Sequence, residues 1–398
     1  MSAAGTGPGF GRRRFLGGVA AGIAVTATGA ALTARDAAPA QARGREPGRG
    51  HAGRPRAARS VFLGTYTSSG GAGIVLAEYA ADGTLTATGT VGGVPDPSYL
   101  ALAPDGGTLY AVDERQEGAV TALALPEQGP PKVLGSRPTG GAGPCHLSVH
   151  PGGRWLLSAN YTSGSVAVHP IGADGALGER TDLVTHSAPP PGPGQDGPHA
   201  HQILTSPDGG HVLAVDLGTD TVYTYRLDTS AGKLAEVSRA ALRPGAGPRH
   251  LTFHPSGRYA YLANEVDNTV VVCGYDAGSG RLTPGDPQPT GTGEGTSYPA
   301  QLLVTADGRF AFLANRGHNS LTRYAVEDGG ARLRLLDTVP VGGDFPRQIA
   351  FSPDGRLLFA ANQRSGTVTV FAVDEDSGAL TRRGEPFAAA AAVCVLPR

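Results

Sequence analysis

The chain has 398 residues with Lys+Arg 33 against Asp+Glu 34, a near balance that is unevenly spread. Ten basic and two acidic residues fall in 1–59, leaving 23 basic against 32 acidic, net −9, over 60–398, which argues against a nucleic acid as partner of the body. Gly 61, Pro 32 and 40% hydrophobic residues describe a turn-rich globular protein, and a folded body this long outgrows a single packed core, so internal repeats are expected.

At the N-terminus, Arg12-Arg13-Arg14-Phe15-Leu16 precedes an uncharged, Ala- and Gly-rich stretch from Gly17 to Ala34, followed by small residues at Ala38-Pro39-Ala40 and Ala40-Gln41-Ala42. A basic segment, a mild apolar segment and small residues read as a signal peptide over 1–42, too weakly apolar for a membrane span. The R-R-x-F-L order resembles the twin-arginine export signal, whose pathway carries folded cargo, and implies a secreted or extracytoplasmic protein. Without a working leader the protein would stay in the cytoplasm. Residues 43–59, rich in Arg, Gly and Pro, read as a disordered linker, and 60–398 as the folded domain. Cys145, Cys273 and Cys394 cannot all pair within one chain, and no C-x-x-C spacing suggests zinc; they read as three thiols.

Val61 to Thr65, Gly73 to Tyr79 and Leu85 to Val91 look like the second, third and fourth strands of a unit that lacks its first. Six fuller copies follow, beginning at Pro97, Pro144, Pro198, Pro248, Pro299 and Pro346, separated by 47, 54, 50, 51 and 47 residues. Each has an alternating run, a Pro-Asp-Gly type turn, a second run ending in Asp or Asn, and a third strand. In the clearest copy Leu251 and Phe253 alternate with polar neighbours, Pro255-Ser256-Gly257 turns the chain, and Gly278-Ser279-Gly280 leads to an outer strand. Val393 to Leu396 is an orphan strand at the other end. A period near fifty with short strands and no helical periodicity predicts an all-β, seven-bladed β-propeller of four-stranded antiparallel blades. The orphan strand would be innermost in the shared blade, closing the ring and leaving no open edge.

In an antiparallel hairpin the start of the first strand lies beside the end of the second, so polar residues there gather at one mouth of the central channel. Counting from the turn Pro of each copy, or from Ala306 in the fifth, the position nine later is always Asp or Asn, which suits a local turn former. The positions that differ between copies are the candidates for chemistry. They supply Glu265, Arg316, Arg249, Arg347 and His201, with His199, His250 and His318 close by. Several Arg and His around one Glu suit an anionic ligand and acid/base work, although a purely structural ion-pair belt would look similar.

The segments Asp196-Gly197-Pro198-His199-Ala200-His201-Gln202, Gly247-Pro248-Arg249-His250-Leu251, Ala263-Asn264-Glu265, Asn315-Arg316-Gly317-His318 and Phe345-Pro346-Arg347-Gln348 resemble the seven-bladed propeller lactonase family, over about residues 60 to 398. That family includes propeller-type bacterial 6-phosphogluconolactonases and fungal carboxymuconate lactonising enzymes. The resemblance implies hydrolysis of an anionic, sugar-derived lactone by an activated water. The active residues it implies, a His, two Arg and a Glu, would fall on His199 or His201, Arg249, Glu265, and Arg316 or Arg347; on the chemistry we assign catalysis to His199, His201, Arg249, His250 and Glu265, with Glu265 or His201 as base. Substrate binding we assign to Arg316, His318, Arg347 and Gln348, with Arg316 and Arg347 on the substrate's anion. An exported address departs from the cytoplasmic place of 6-phosphogluconolactone, so another lactone or lost catalysis stays open.

Two rival readings remain. A non-enzymatic exported binding propeller usually has more uniform repeats of about forty residues. A calcium-dependent propeller lactonase would need clustered carboxylates such as Asp113, Glu114, Asp216 and Glu265. No phosphate loop, G-x-S-x-G elbow or helical dimerisation seam occurs. Neither cofactor nor metal is expected, and the expected state is a monomer or weak dimer.

Overall fold

The computed structural model describes residues 59–187, 192 and 195–398. The expected signal peptide and all of the linker except Arg59 lie outside the described residues, and Arg59 itself opens the first strand. Seven antiparallel sheets of four strands form the ring, and no helix among the described residues is long and apolar enough to cross a membrane. Blades one to six have as inner strands Leu100–Leu102, Pro144–Val149, Ala200–Thr205, Pro248–Phe253, Tyr298–Val304 and Pro346–Phe351. In the shared blade the C-terminal Ala392–Pro397 is innermost and pairs with Arg59–Thr65, which pairs in turn with Ile74–Tyr79. The ring therefore closes as the two incomplete ends of the chain require.

Each strand follows from its residues. Thr269–Asp276 carries a Val-Val-Val run suited to a pleated, half-buried surface. The inner hairpin of blade four turns at Gly257, whose φ of 68 is open to glycine at no steric cost. The equivalent Gly106, Gly153, Gly209, Gly308 and Gly355 have φ between 70 and 75, so the recurring Gly is a backbone requirement of the turn. The apolar core lies between adjacent blades. Leu157, Ala159, Val166 and Val168 of blade two pack against Ile203, Val212, Ala214 and Tyr223 of blade three, and similar clusters join the other pairs. Outer strands such as Lys132–Pro138 are largely exposed.

Candidate active site

The mouth is built by a repeated defect in pairing. In blades two, three, four and six the inner strand slips register at Pro144/His146, Ala200/Gln202, Pro248/His250 and Pro346/Gln348. One extra residue sits in each β-bulge: Cys145, His201, Arg249 or Arg347. A bulge sets two consecutive residues against one partner and re-aims their side chains. Arg249 and His250, or His201 and Gln202, are accordingly both buried at the channel end of their strands.

In blades two, three, five and six a His or Gln side chain here is committed to the ring. Gln202 Oε1 accepts Leu251 N–H at 2.7 Å, Gln301 Oε1 accepts Ile349 N–H at 3.1 Å, and Gln348 Oε1 accepts Val395 N–H at 2.6 Å. His146 Nδ1 receives Ile203 N–H at 3.5 Å in the same way. These side chains latch one blade to the next, and Gln348 still has its amide NH2 to offer a ligand. The Asn at the end of the second strand is also structural: Asn160, Asn264 and Asn315 donate to hydroxyls five residues later.

The charge comes from the bulge residues Arg249 and Arg347 and from Arg316, which ends the second strand of blade five. Arg249, Arg316 and Arg347 are fully buried, from blades four, five and six. Glu265, its side chain 14% exposed, places Oε2 at 3.1 Å from Arg249 Nε and 2.6 Å from Arg316 Nη2. Arg249 also donates to Ala300 O, while its Nε and Nη2 make no hydrogen bond. Burial pushes the Arg249 guanidinium well down from its usual range, and Arg316 beside it adds to the effect against the pull of Glu265. Arg316 is lowered too, chiefly by burial. It is held by the carbonyls of Tyr298 and Pro299 and lies 5.4 Å over the Phe345 ring. Three buried guanidinium groups that share few carboxylates make a strong electrostatic demand for an anion.

The histidines form an adjoining wall. His201 is fully buried with neither ring nitrogen hydrogen-bonded. Its ring lies 5.2 Å from His250 and 5.5 Å from Tyr161. Burial and the nearby Arg249, His250 and other Arg push its pKa well below that of a free histidine, so it is neutral at pH 7. His199 is nearer solvent, stacked on Tyr161 at 4.4 Å and held by Asp196 Oδ1 at 3.0 Å. A Cβ on Gly218 would fall 1.8 Å from Gly197 O, so only glycine leaves room for the His199 segment. His318 hydrogen-bonds Ser320 Oγ at 2.8 Å, in the turn that follows Arg316. Arg249, Glu265 and Arg316 thus form one cluster with His201 and His250 beside them, and Arg347 joins it from the next blade.

One mouth residue, Tyr66, was absent from the expected set, and Glu114 was named there only as a possible calcium ligand. Arg347 Nη2 donates to the Tyr66 hydroxyl, which donates to Glu114 Oε2 at 2.8 Å. Tyr66 follows Thr65 in the shared blade, the place that Glu265 takes in blade four. That blade has no turn Pro to count from; aligning its two halves as one hairpin would have found Tyr66. The carboxylates named for a calcium site are already paired with cations or donors. Asp113 binds Arg115 at 2.6 Å, and Asp216 binds His186 at 2.6 Å and the N–H groups of His199, Gly218 and Thr219. Among the described residues no three His, Cys, Asp or Glu could hold a metal ion. Two surface depressions, lined in part by Asp82, Arg356 and Glu375 and by Asp208, Arg258 and Tyr275, lie along the turns of the opposite face and include none of the mouth residues.

Comparison with known proteins agrees with this architecture. The family described as Lactonase, 7-bladed beta-propeller, matches residues 60–397. A 6-phosphogluconolactonase of Bacillus subtilis is 33% identical over 288 residues, covering 71% of this chain and 82% of that protein. A solved structure from Lactobacillus plantarum superposes with a TM-score of 0.81 at 34% identity, over 86% of this chain and 99% of the other. The structure titled Pseudomonas aeruginosa periplasmic gluconolactonase does so with 0.79 at 31% identity, again over 86% and 99%. With the ring, its blade count and the matched span in agreement, the chain belongs to the seven-bladed β-propeller lactonase family.

Proposed function

We propose that the protein hydrolyses an anionic, sugar-derived lactone of the 6-phosphogluconolactone kind. The observation that carries this is the convergence of Arg249, Arg316 and Arg347, all fully buried, on a mouth where Glu265 and an unpaired, neutral His201 also meet. An anionic substituent would satisfy the guanidinium groups, with Arg316 and Arg347 as its holders. A water beside the lactone carbonyl would lose its proton as its oxygen bonds the carbonyl carbon, and the charge that develops on the carbonyl oxygen would be met by Arg249 and His250. Glu265 is assigned as the base, because it is reachable from solvent whereas His201 is sealed. Collapse of the tetrahedral adduct breaks the ring C–O bond and gives the hydroxy acid.

The test is a panel of lactones with and without a phosphate group, assayed on the protein, on Glu265→Gln and on Arg249→Ala. Faster turnover of the phosphorylated lactones, lost by about 100-fold or more in both variants, is expected. Full activity in both variants removes these residues from the mechanism, and tight binding without turnover would favour a binding propeller.

We also propose that the protein works outside the cytoplasm. The Arg12-Arg13 leader supports this, as does the 31% identical periplasmic gluconolactonase of Pseudomonas aeruginosa.

A further inference from the structure

The mouth holds a second carboxylate that the hydrolysis described above does not use. Glu114 directly follows the second strand of blade one as Glu265 follows that of blade four. In a ring of seven, blades one and four stand across the channel from each other. The surroundings of the two differ in kind. Glu265 has two guanidinium groups at ion-pair distance. Glu114 has one, Arg347, whose Nη2 lies 3.6 Å from Oε1 and outside hydrogen-bond reach. Its other oxygen, Oε2, accepts the Tyr66 hydroxyl.

A carboxyl placed this way has a settled proton position. Tyr66 spends its single O–H on Oε2 and takes an N–H from Arg347, whose guanidinium also lies 5.2 Å over the Tyr66 ring. With Tyr66 on Oε2, Oε1 is the oxygen left for a proton, beside Ser98 of the same blade. The groups that face Glu114 are Arg347 of blade six, Tyr66 of the shared blade, Ser98 and Asp96 of its own blade, and Cys145 of blade two. Burial raises this carboxyl above the usual carboxylate range, and Arg347 offsets only part of the rise. A buried carboxyl whose burial favours the protonated form is suited to give a proton in a general-acid step.

We propose that Glu114, positioned by Tyr66, is the general acid of the ring opening. In this step, which rests on the hydrolase reading, Glu265 takes a proton from the attacking water as its oxygen bonds the carbonyl carbon. As the C–O bond breaks, its electron pair stays with the ring oxygen, which takes the Oε1 proton and leaves as a hydroxyl. Glu114 ends ionised and Glu265 protonated, and solvent exchange restores both. No oxidant, reductant or further reactant enters.

The experiment is the pH profile of kcat/KM on the best lactone of the panel, with the uncatalysed rate subtracted, for the protein, Glu114→Gln and Tyr66→Phe. The parent should lose activity on an alkaline limb as Glu114 ionises. Glu114→Gln should fall about 100-fold or more and lack that limb. Tyr66→Phe removes a hydrogen bond that favours the ionised carboxylate, so its limb should move to higher pH; this arm stands alone if Glu114→Gln does not fold. A Glu114→Gln variant within threefold of the parent, or an alkaline limb unchanged in either variant, overturns the proposal while leaving the hydrolase reading intact. A parent that opens no lactone overturns both.

Discussion

Arg316 Nη2 lies 2.6 Å from Glu265 Oε2, and the two residues hold the same position in consecutive blades. The ion pair is thus a product of the repeat: the fold brings one position of every blade to one circle, and the sequence varies what stands there. Around that circle come Tyr66, Glu114, Tyr161, Leu217, Glu265, Arg316 and Gln363. The pairing of opposite charges falls only between blades four and five, while the carboxylate of blade one faces the shared blade.

Stability should report this arrangement apart from activity. Glu265→Gln leaves Arg249 and Arg316 without their shared anion, and breaking a buried ion pair costs about 3–5 kcal/mol. Because Glu265 is partly exposed, the lower end of that range is expected. Urea denaturation should show the loss. Inorganic phosphate should raise the midpoint of the variant more than that of the parent, since it replaces the missing negative charge. Equal effects of phosphate on both would show that the mouth has no vacancy for an anion in the variant.

Ring closure offers a second readout. Gln348 Oε1 accepts the buried Val395 N–H and so ties blade six to the C-terminal strand. Gln348→Leu keeps the volume close and orphans that donor, which costs about 1–3 kcal/mol. The unfolding midpoint should fall accordingly with no change in the urea m-value. A midpoint equal to the parent's would mean that water or another acceptor satisfies Val395.

The blades, their number and the shared closure were legible before any coordinates, because a Pro-Asp-Gly type turn and strand alternation are local signals and the two chain ends were incomplete in complementary ways. Arg249, Glu265 and Arg316 could be singled out because they differ between otherwise equal positions. The bulges had no such signal. Strict alternation sends Arg249 and His250 to opposite faces, and only the register slip at Pro248/His250 brings both to the channel. The latch made by Gln348 was likewise hidden, since its partner, Val395, lies on a strand with no turn of its own. Tyr66 was missed for the same reason: half of its blade is at the far end of the chain.

Acid should weaken the fold through its buried histidines, and His169 isolates the effect. Its Nε2 is 3.2 Å from Pro138 O while Nδ1 makes no hydrogen bond. Burial pushes its pKa down from 6.5 to about 4. Between those values the unfolded chain binds a proton that the native state refuses, so the stabilisation is complete above 6.5 and is lost as pH falls toward 4. The gap corresponds to about 3 kcal/mol, at up to about 1.4 kcal/mol per pH unit. His150, His201, His211 and His254 are lowered as well and steepen the parent's decline, but all four remain in His169→Gln. The Gln side chain can still donate to Pro138 O without titrating. Urea-derived stabilities at pH 7.5 and pH 5 should therefore differ less in the variant than in the parent by about 2 kcal/mol, and parallel curves would show that His169 is solvated enough to protonate in the native ring.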